Sequence, residues 1–274
     1  MKKMKIYFSA IVLVMMTLTS FSQTYKETKI GSQIWMVQNL NVDKFQNGDA
    51  IPHAKTDEDW KKALRDDQPA WCYYDNDPAN ETKYGKLYNW HAVNDPRGIA
   101  PKGWHVASIN DWESLKKNLG EEAEKKMKAT SDWASYSTGG AAILCPNCID
   151  WSYEYRKKVP CHTCKDTRKT GKNTPIVEHS GNGTNSSGFS ALPGGKRNDH
   201  SSFNTVGEIG YWWTSSKAST NYAYSIFLEY NNIDVRVYQA FSSGEGFSVR
   251  CVKGEAEIKK EAPAPSRGRS GRGR

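Results

Sequence analysis

The chain has 274 residues, 37% hydrophobic and 12% aromatic, with ten Trp, fourteen Tyr and 22 Gly, the composition of a loop-rich globular domain built on aromatic rings rather than on long aliphatic runs. Its formal charge of +8 divides unevenly: three positives are Lys2, Lys3 and Lys5, three more are the surplus of six Lys or Arg over three Glu in residues 255–274, and two remain for the body. A nearly neutral body has no field to steer a polyanion, so nucleic acid is excluded as a partner.

At the N-terminus the three lysines precede an apolar run, residues 6–18, and Ser20-Phe-Ser22 supplies a small-x-small site ahead of Gln23. This is the pattern of a secretory signal peptide over residues 1–22, and it implies a protein working in the periplasm, on the outer cell surface or in the medium. The apolar run is shorter than the roughly 20 residues that a spanning helix needs, and no later segment is apolar enough to span. No cysteine stands at the cleavage point for lipid attachment.

Beyond the signal, one domain is expected over residues 23–254. Residues 33–40 are β-branched and aromatic enough for a strand. A short helix is predicted over 57–64, capped by Thr56 with Asp59 three residues on, and a clearer one begins at the capping box Ser108-Ile-Asn-Asp111. Trp112, Leu115 and Leu119 then recur at helical spacing up to Gly120, and a second amphipathic stretch covers 121–129. From Gly210 the period changes to two: residues 211–214, 222–229, 234–240 and 246–252 are predicted as successive antiparallel strands, with Asn231-Asn232 as a tight turn and Phe247, Val249 and Cys251 on one face. Helices early and strands late define an α+β domain. The tail, residues 255–274, carries Ala262-Pro-Ala-Pro265 and an Arg-Gly run, with Ile258 its one large apolar residue; it is expected to be disordered and able to meet an anionic surface by charge.

Cys145-Pro-Asn-Cys148 and Cys161-His-Thr-Cys164 form two C-x2-C knuckles separated by twelve residues. Two such turns facing each other make the tetrahedral four-thiolate cage of structural zinc, with no open position for catalysis. Export leaves disulfides as the competing reading, and thiol redox chemistry as a third. Cys72 and Cys251 are a disulfide candidate that would stabilise the domain by about 3 to 5 kcal/mol; two buried free thiols are the alternative.

Several phrases, in order, resemble the Fibrobacter succinogenes major paralogous domain: Gly31-Ser-Gln-Ile-Trp-Met-Val-Gln-Asn-Leu-Asn41, Tyr84-Gly-Lys-Leu-Tyr-Asn-Trp90, Ala100-Pro-Lys-Gly-Trp-His-Val106, Asp111-Trp112, Asn185-Ser-Ser-Gly-Phe-Ser-Ala-Leu-Pro-Gly-Gly195, Tyr211-Trp-Trp-Thr-Ser-Ser216 and Phe247-Ser-Val-Arg-Cys-Val-Lys253. The resemblance implies an exported or surface domain of Bacteroidetes- and Fibrobacter-type bacteria, similar to C-type-lectin-like and formylglycine-generating-enzyme-like folds, with attachment to polysaccharide as the usual supposition. The expected fold is thus an α+β, C-type-lectin-like domain with two helices and antiparallel strands. Residues 141–178, which hold the four cysteines, depart from the family pattern and are expected as an inserted zinc-ribbon-like hairpin.

The function this supports is a non-catalytic binding or adhesion module for polysaccharide or a surface protein. Tyr211, Trp212 and Trp213 alternate on a strand, so one face is expected in the core and the other is a candidate sugar platform, with packing of each tryptophan in the core as the alternative. Asp75-Asn-Asp77 and Asn198-Asp199 offer hard oxygens that can hold calcium, with an ordinary Asx-rich turn as the alternative. An assembly component of a surface apparatus is the second reading. An enzyme is the third, and no Gly-x-Ser-x-Gly or His-Glu-x-x-His sequence supports it.

Overall fold

The computed structural model describes residues 25–140, 143–144, 169–170, 174–219, 222–232 and 235–255. The signal peptide, Cys145, Cys148, Cys161, Cys164 and the Arg-Gly tail lie outside the described residues. In chain order the elements are β1 (Glu27–Ile30), β2 (Gln33–Met36), α1 (Asp57–Arg65), β3 (Trp71–Cys72), α2 (Glu81–Tyr84), β4 (Leu87–Tyr88), α3 (Trp90–Val93), β5 (Trp104–Val106), α4 (Ile109–Leu119) and α5 (Ala123–Met127). The strands β6 (Ser135–Gly140), β7 (Ile143–Leu144), β8 (Lys169–Thr170), β9 (Thr174–Ser180), β10 (Gly194–Arg197), β11 (Phe203–Val206), β12 (Ile209–Lys217), β13 (Tyr222–Glu229), β14 (Arg236–Ser242), β15 (Ser248–Val249) and β16 (Cys251–Lys253) follow. The domain is α+β, and its two longest helices are the two with capping boxes; α5 falls within the amphipathic stretch expected over 121–129, and α2 and α3 are short additions.

Local chemistry accounts for these elements. In α1 the Asp59 amide donates to Thr56 Oγ1 and the Thr56 amide to Asp59 Oδ2, both at 3.1 Å. In α4 the Asp111 amide donates to Ser108 Oγ at 3.2 Å and the Ser108 amide to Asp111 Oδ2 at 2.8 Å, so each box satisfies free amides of the first turn. The turn between β1 and β2 needs Gly31, which has φ +61° and lies where a Cβ would come within 2.4 Å of the Asn118 side chain.

A four-stranded sheet has the order β1-β2-β16-β5, and a six-stranded sheet has the order β11-β10-β12-β13-β14 with β15 alongside β12. The last predicted strand therefore divides. Its first part, β15, runs parallel to β12, a correction to the all-antiparallel expectation, whereas β16 runs antiparallel to β2 and β5 in the other sheet. Arg250 is the residue at the crossing. Phe247, Val249 and Cys251 do share a face and join one core cluster with Met36, Trp90, Tyr211 and Trp213. A second cluster gathers Trp35, Trp112, Trp133, Phe189, Trp212 and Val252. A smaller third holds Trp60, Cys72, Tyr74 and Leu87.

The ladder of β6 against β9, continued by β7 against β8, sets Leu144 opposite Lys169. This antiparallel stem leads into the segment that contains the four knuckle cysteines.

Candidate functional site

The aromatic strand is not the exposed platform that its alternation suggested. Tyr211 is 8% exposed, and Trp212 and Trp213 are fully buried. β12 is an inner strand, with β13 on one edge and β10 and β15 on the other, and core clusters cover both of its faces, Trp213 on one and Trp212 on the other. Trp213 packs on Phe247 (4.4 Å between ring centres) and donates from Nε1 to the Tyr88 carbonyl at 2.8 Å; Trp212 packs on Trp112 (6.0 Å) and donates to Asn39 Oδ1 at 2.9 Å. Both rings are core on opposite faces of one strand, each with its polar handle satisfied.

The two Asx-rich turns meet, though through a cation of the protein's own. Buried Arg197 donates to Asn76 Oδ1 (3.2 Å), to the Ser201 carbonyl (3.3 Å) and to Asp57 Oδ1 (2.6 Å). Asp75 is exposed with φ +55°, Asp77 accepts from the Ala79 amide, Asn198 Oδ1 accepts from the Ser202 amide, and exposed Asp199 lies 3.7 Å from His200. These are Asx-turn duties, and among the described residues no group of three or more His, Cys, Asp or Glu is placed to hold a metal ion. Cys72 and Cys251 are buried free thiols in separate clusters, which replaces the proposed disulfide by the two-thiol alternative; burial pushes both up to about 12, against the pull of Arg197 on the first and Arg250 on the second. His105 Nε2 lies 3.1 Å from Asp111 Oδ2, and Ser108 Oγ donates to the same oxygen at 2.6 Å. Imidazole and hydroxyl thus converge on one helix-capping carboxylate, where a nucleophile and its base would bond to each other.

Concave surface lies elsewhere, around the four-stranded sheet. Two clefts of about 460 and 560 Å³ adjoin at Tyr25, a size suited to small ligands or sugar units. The larger is lined by Tyr25, Phe45, Gln46, Trp104, Lys44 and Lys102, among others. Tyr25 and Trp104 meet edge to face at 6.1 Å, and the Lys253 ammonium stands 5.7 Å from the Trp104 ring centre. Of the nine tryptophans among the described residues, Trp104 alone is not buried. Burial, with a smaller contribution from Cys251, raises the Tyr25 phenol, which therefore stays neutral.

The smaller cleft is walled by residues 37–41 after β2, by α2 and by Ser190 and Leu192, and Arg250 lines it. Asn39 organises this wall: its Oδ1 accepts from Arg250 Nε and Nη2 (3.2 and 3.0 Å) and from Trp212, and its Nδ2 donates to the Tyr84 carbonyl and Ser248 Oγ. Asn41 bridges Glu81 Oε1 (3.1 Å) and buried Lys86 (2.7 Å). Those contacts, with the Asn41 hydrogen bond foremost and burial opposing, hold the Glu81 carboxyl below its ordinary value. Gln38, Thr82 and Lys26 remain exposed at the mouth. Tyr25, Asn39, Trp104 and Arg250 were not singled out from the sequence as site residues, although a charge inside the apolar run 247–252 was a visible sign.

The described architecture is thus an α+β domain presenting an aromatic and amide-rich cleft pair. Its sequence signature is that of the Fibrobacter succinogenes major domain, matched over residues 28–253, and the chain belongs to that family. Comparison with curated proteins and with solved structures finds no match. No helix among the described residues is long and apolar enough to cross a membrane.

Proposed function

We propose that this protein is an exported, non-catalytic surface-binding module of C-type-lectin-like type that recognises polysaccharide through the paired clefts at Tyr25. The observation that carries the reading is the position of Trp104: a ring left partly exposed beside Tyr25, in a cleft edged by amide and ammonium groups, while the other described tryptophans are core. Flat apolar rings suit the C–H faces of sugars, and the surrounding amides suit their hydroxyls. Affinity electrophoresis in gels containing plant and bacterial polysaccharides tests this. Trp104→Ala is expected to weaken retention about tenfold, the equivalent of about 1.4 kcal/mol, with little change in melting temperature. Retention by none of the polysaccharides, with a protein partner co-purifying from the native envelope, would transfer the role to assembly of a surface apparatus.

In the same reading the four-cysteine insertion holds structural zinc. The antiparallel stem supports it, because it sets Leu144, the residue before Cys145, opposite Lys169, five residues after Cys164. Metal analysis with thiol counting on protein from the native envelope tests this; four oxidised sulfurs and no zinc would eliminate the cage.

A further inference from the structure

Four cationic side chains are buried among the described residues: Lys86, Lys128, Arg197 and Arg250. Three of them face a carboxylate. Lys86 lies 3.3 Å from Glu81, Arg197 lies 2.6 Å from Asp57, and Lys128 pairs with Glu124. Arg250 does not. Its Nη1 donates to the carbonyls of Met36 (2.9 Å), Val37 (2.7 Å) and Phe189 (2.7 Å), its Nε and Nη2 to Asn39, and its Cζ lies 4.3 Å from the Phe189 ring centre. Dipoles solvate a charge without cancelling it, and a guanidinium taken out of water without a counter-ion is an unfavourable arrangement.

A strut role explains part of this geometry. Nη1 and Nε tie the crossing between β15 and β16 to the residues after β2, and that needs a donor fork rather than an anion. The strut leaves two features unexplained: the missing counter-charge, and the second Nη2 proton, which has no acceptor among the described residues although a guanidinium has five to place. Both belong to a side chain that lines the 460 Å³ cleft. At the mouth of the cleft Lys83 is held by Asp132 at 2.5 Å and Glu81 is committed to Lys86 and Asn41, while exposed Lys26 makes no ion pair with a described residue. The cleft therefore carries an excess of positive charge, although the protein body as a whole is nearly neutral.

We infer that the cleft takes an anionic group of a sugar unit, a uronate carboxylate or a sulfate ester, which supplies the counter-charge that Arg250 lacks, with Lys26 at the rim. The inference rests on the polysaccharide reading above and narrows it to acidic polysaccharide. The neighbouring Tyr25 and Trp104 rings would then hold the next unit along the chain, since the two clefts share Tyr25.

Calorimetric titration of the full secreted chain with two matched pairs tests the inference: oligogalacturonate against its methyl ester, and a sulfated galactan oligomer against its desulfated form. The expected result is at least tenfold tighter binding of one anionic member over its neutral partner, weakened severalfold by Lys26→Glu and by added salt. The rim variant matters because Arg250→Gln removes the strut as well and can fail to fold. Which pair discriminates tells carboxylate from sulfate. Equal affinity within both pairs would overturn the inference and leave the polysaccharide reading standing; binding to none of the four would remove both.

Discussion

Arg197 and Arg250 are both fully buried guanidinium groups, each stacked on an aromatic ring and each near a buried cysteine, yet they sit in opposite electrostatic settings. Arg197 closes the corner between α1 and β10 and has a carboxylate, Asp57, whose own side chain is half-exposed. Arg250 stands where the chain passes between the sheets and, among the described residues, donates only to neutral oxygens. Both are buried; what sets Arg250 apart is that its charge faces no carboxylate among the described residues and stands at the edge of a cleft.

The comparison can be broken most directly by removing each arginine. Arg250→Met strands the buried carbonyls of Met36 and Phe189, and at about 1 to 3 kcal/mol for each stranded group the loss should be roughly 3 kcal/mol or more by chemical denaturation. Arg197→Met should cost less, about 1 to 3 kcal/mol, because it strands one buried carbonyl, that of Ser201, while the other acceptors, the Thr56 carbonyl and Asp57, belong to exposed residues and return to water. The reverse order would show that the charge on Arg250 is a burden the free protein is better without.

The two capping boxes sharpen the comparison at smaller amplitude. Burial alone would raise the Asp111 carboxyl, but hydrogen bonds from His105 and Ser108 outweigh it and hold the group below the usual carboxylate range. A depressed carboxylate contributes stability that is complete above the unfolded value near 4 and is lost as pH falls through the lower folded value. Asp111→Asn should therefore cost about 0.5 to 1 kcal/mol at neutral pH and flatten the acid limb of a stability profile. Asp59 is also lowered, by its Thr56 hydrogen bond first, but it is fully exposed, and Asp59→Asn should change that limb less.

The smallest effect is expected from the cysteines beside the two arginines. Burial holds Cys72 and Cys251 as thiols up to about 12, so neither should react with a disulfide reagent in the native protein, and both should react once it is unfolded. Rapid native labelling at either position would mean that its cluster opens.

Much of this fold was legible because its signals are local. Thr56 with Asp59 and Ser108 with Asp111 each fix a helix start within four residues, and Gly120 with φ +66° stops the second helix where expected. The exposure of Tyr211, Trp212 and Trp213 was not local information. Three successive aromatics satisfy period two on either face, and only β10, β13 and β15 on the edges and the tryptophans from α3 and α4 on the faces make both sides interior. The same holds for the arginines: the counter-ion of Arg197 is 140 residues away in sequence, so neither its presence there nor its absence at Arg250 could be read from the chain. Trp104 followed a Pro-Lys-Gly turn, a position that left its ring at the rim, but nothing nearby marked Tyr25 as its neighbour.

Ligand is proposed to settle on the partly exposed ring of Trp104. Iodide quenching of tryptophan emission, with and without a retained polysaccharide, tests it directly. In a Trp151→Phe background, where every remaining tryptophan lies among the described residues, the accessible fraction should be small, should vanish on adding Trp104→Ala, and should become protected when the protein that keeps Trp104 binds ligand. Unchanged quenching on binding, with Trp104→Ala retaining full affinity, would contradict the account.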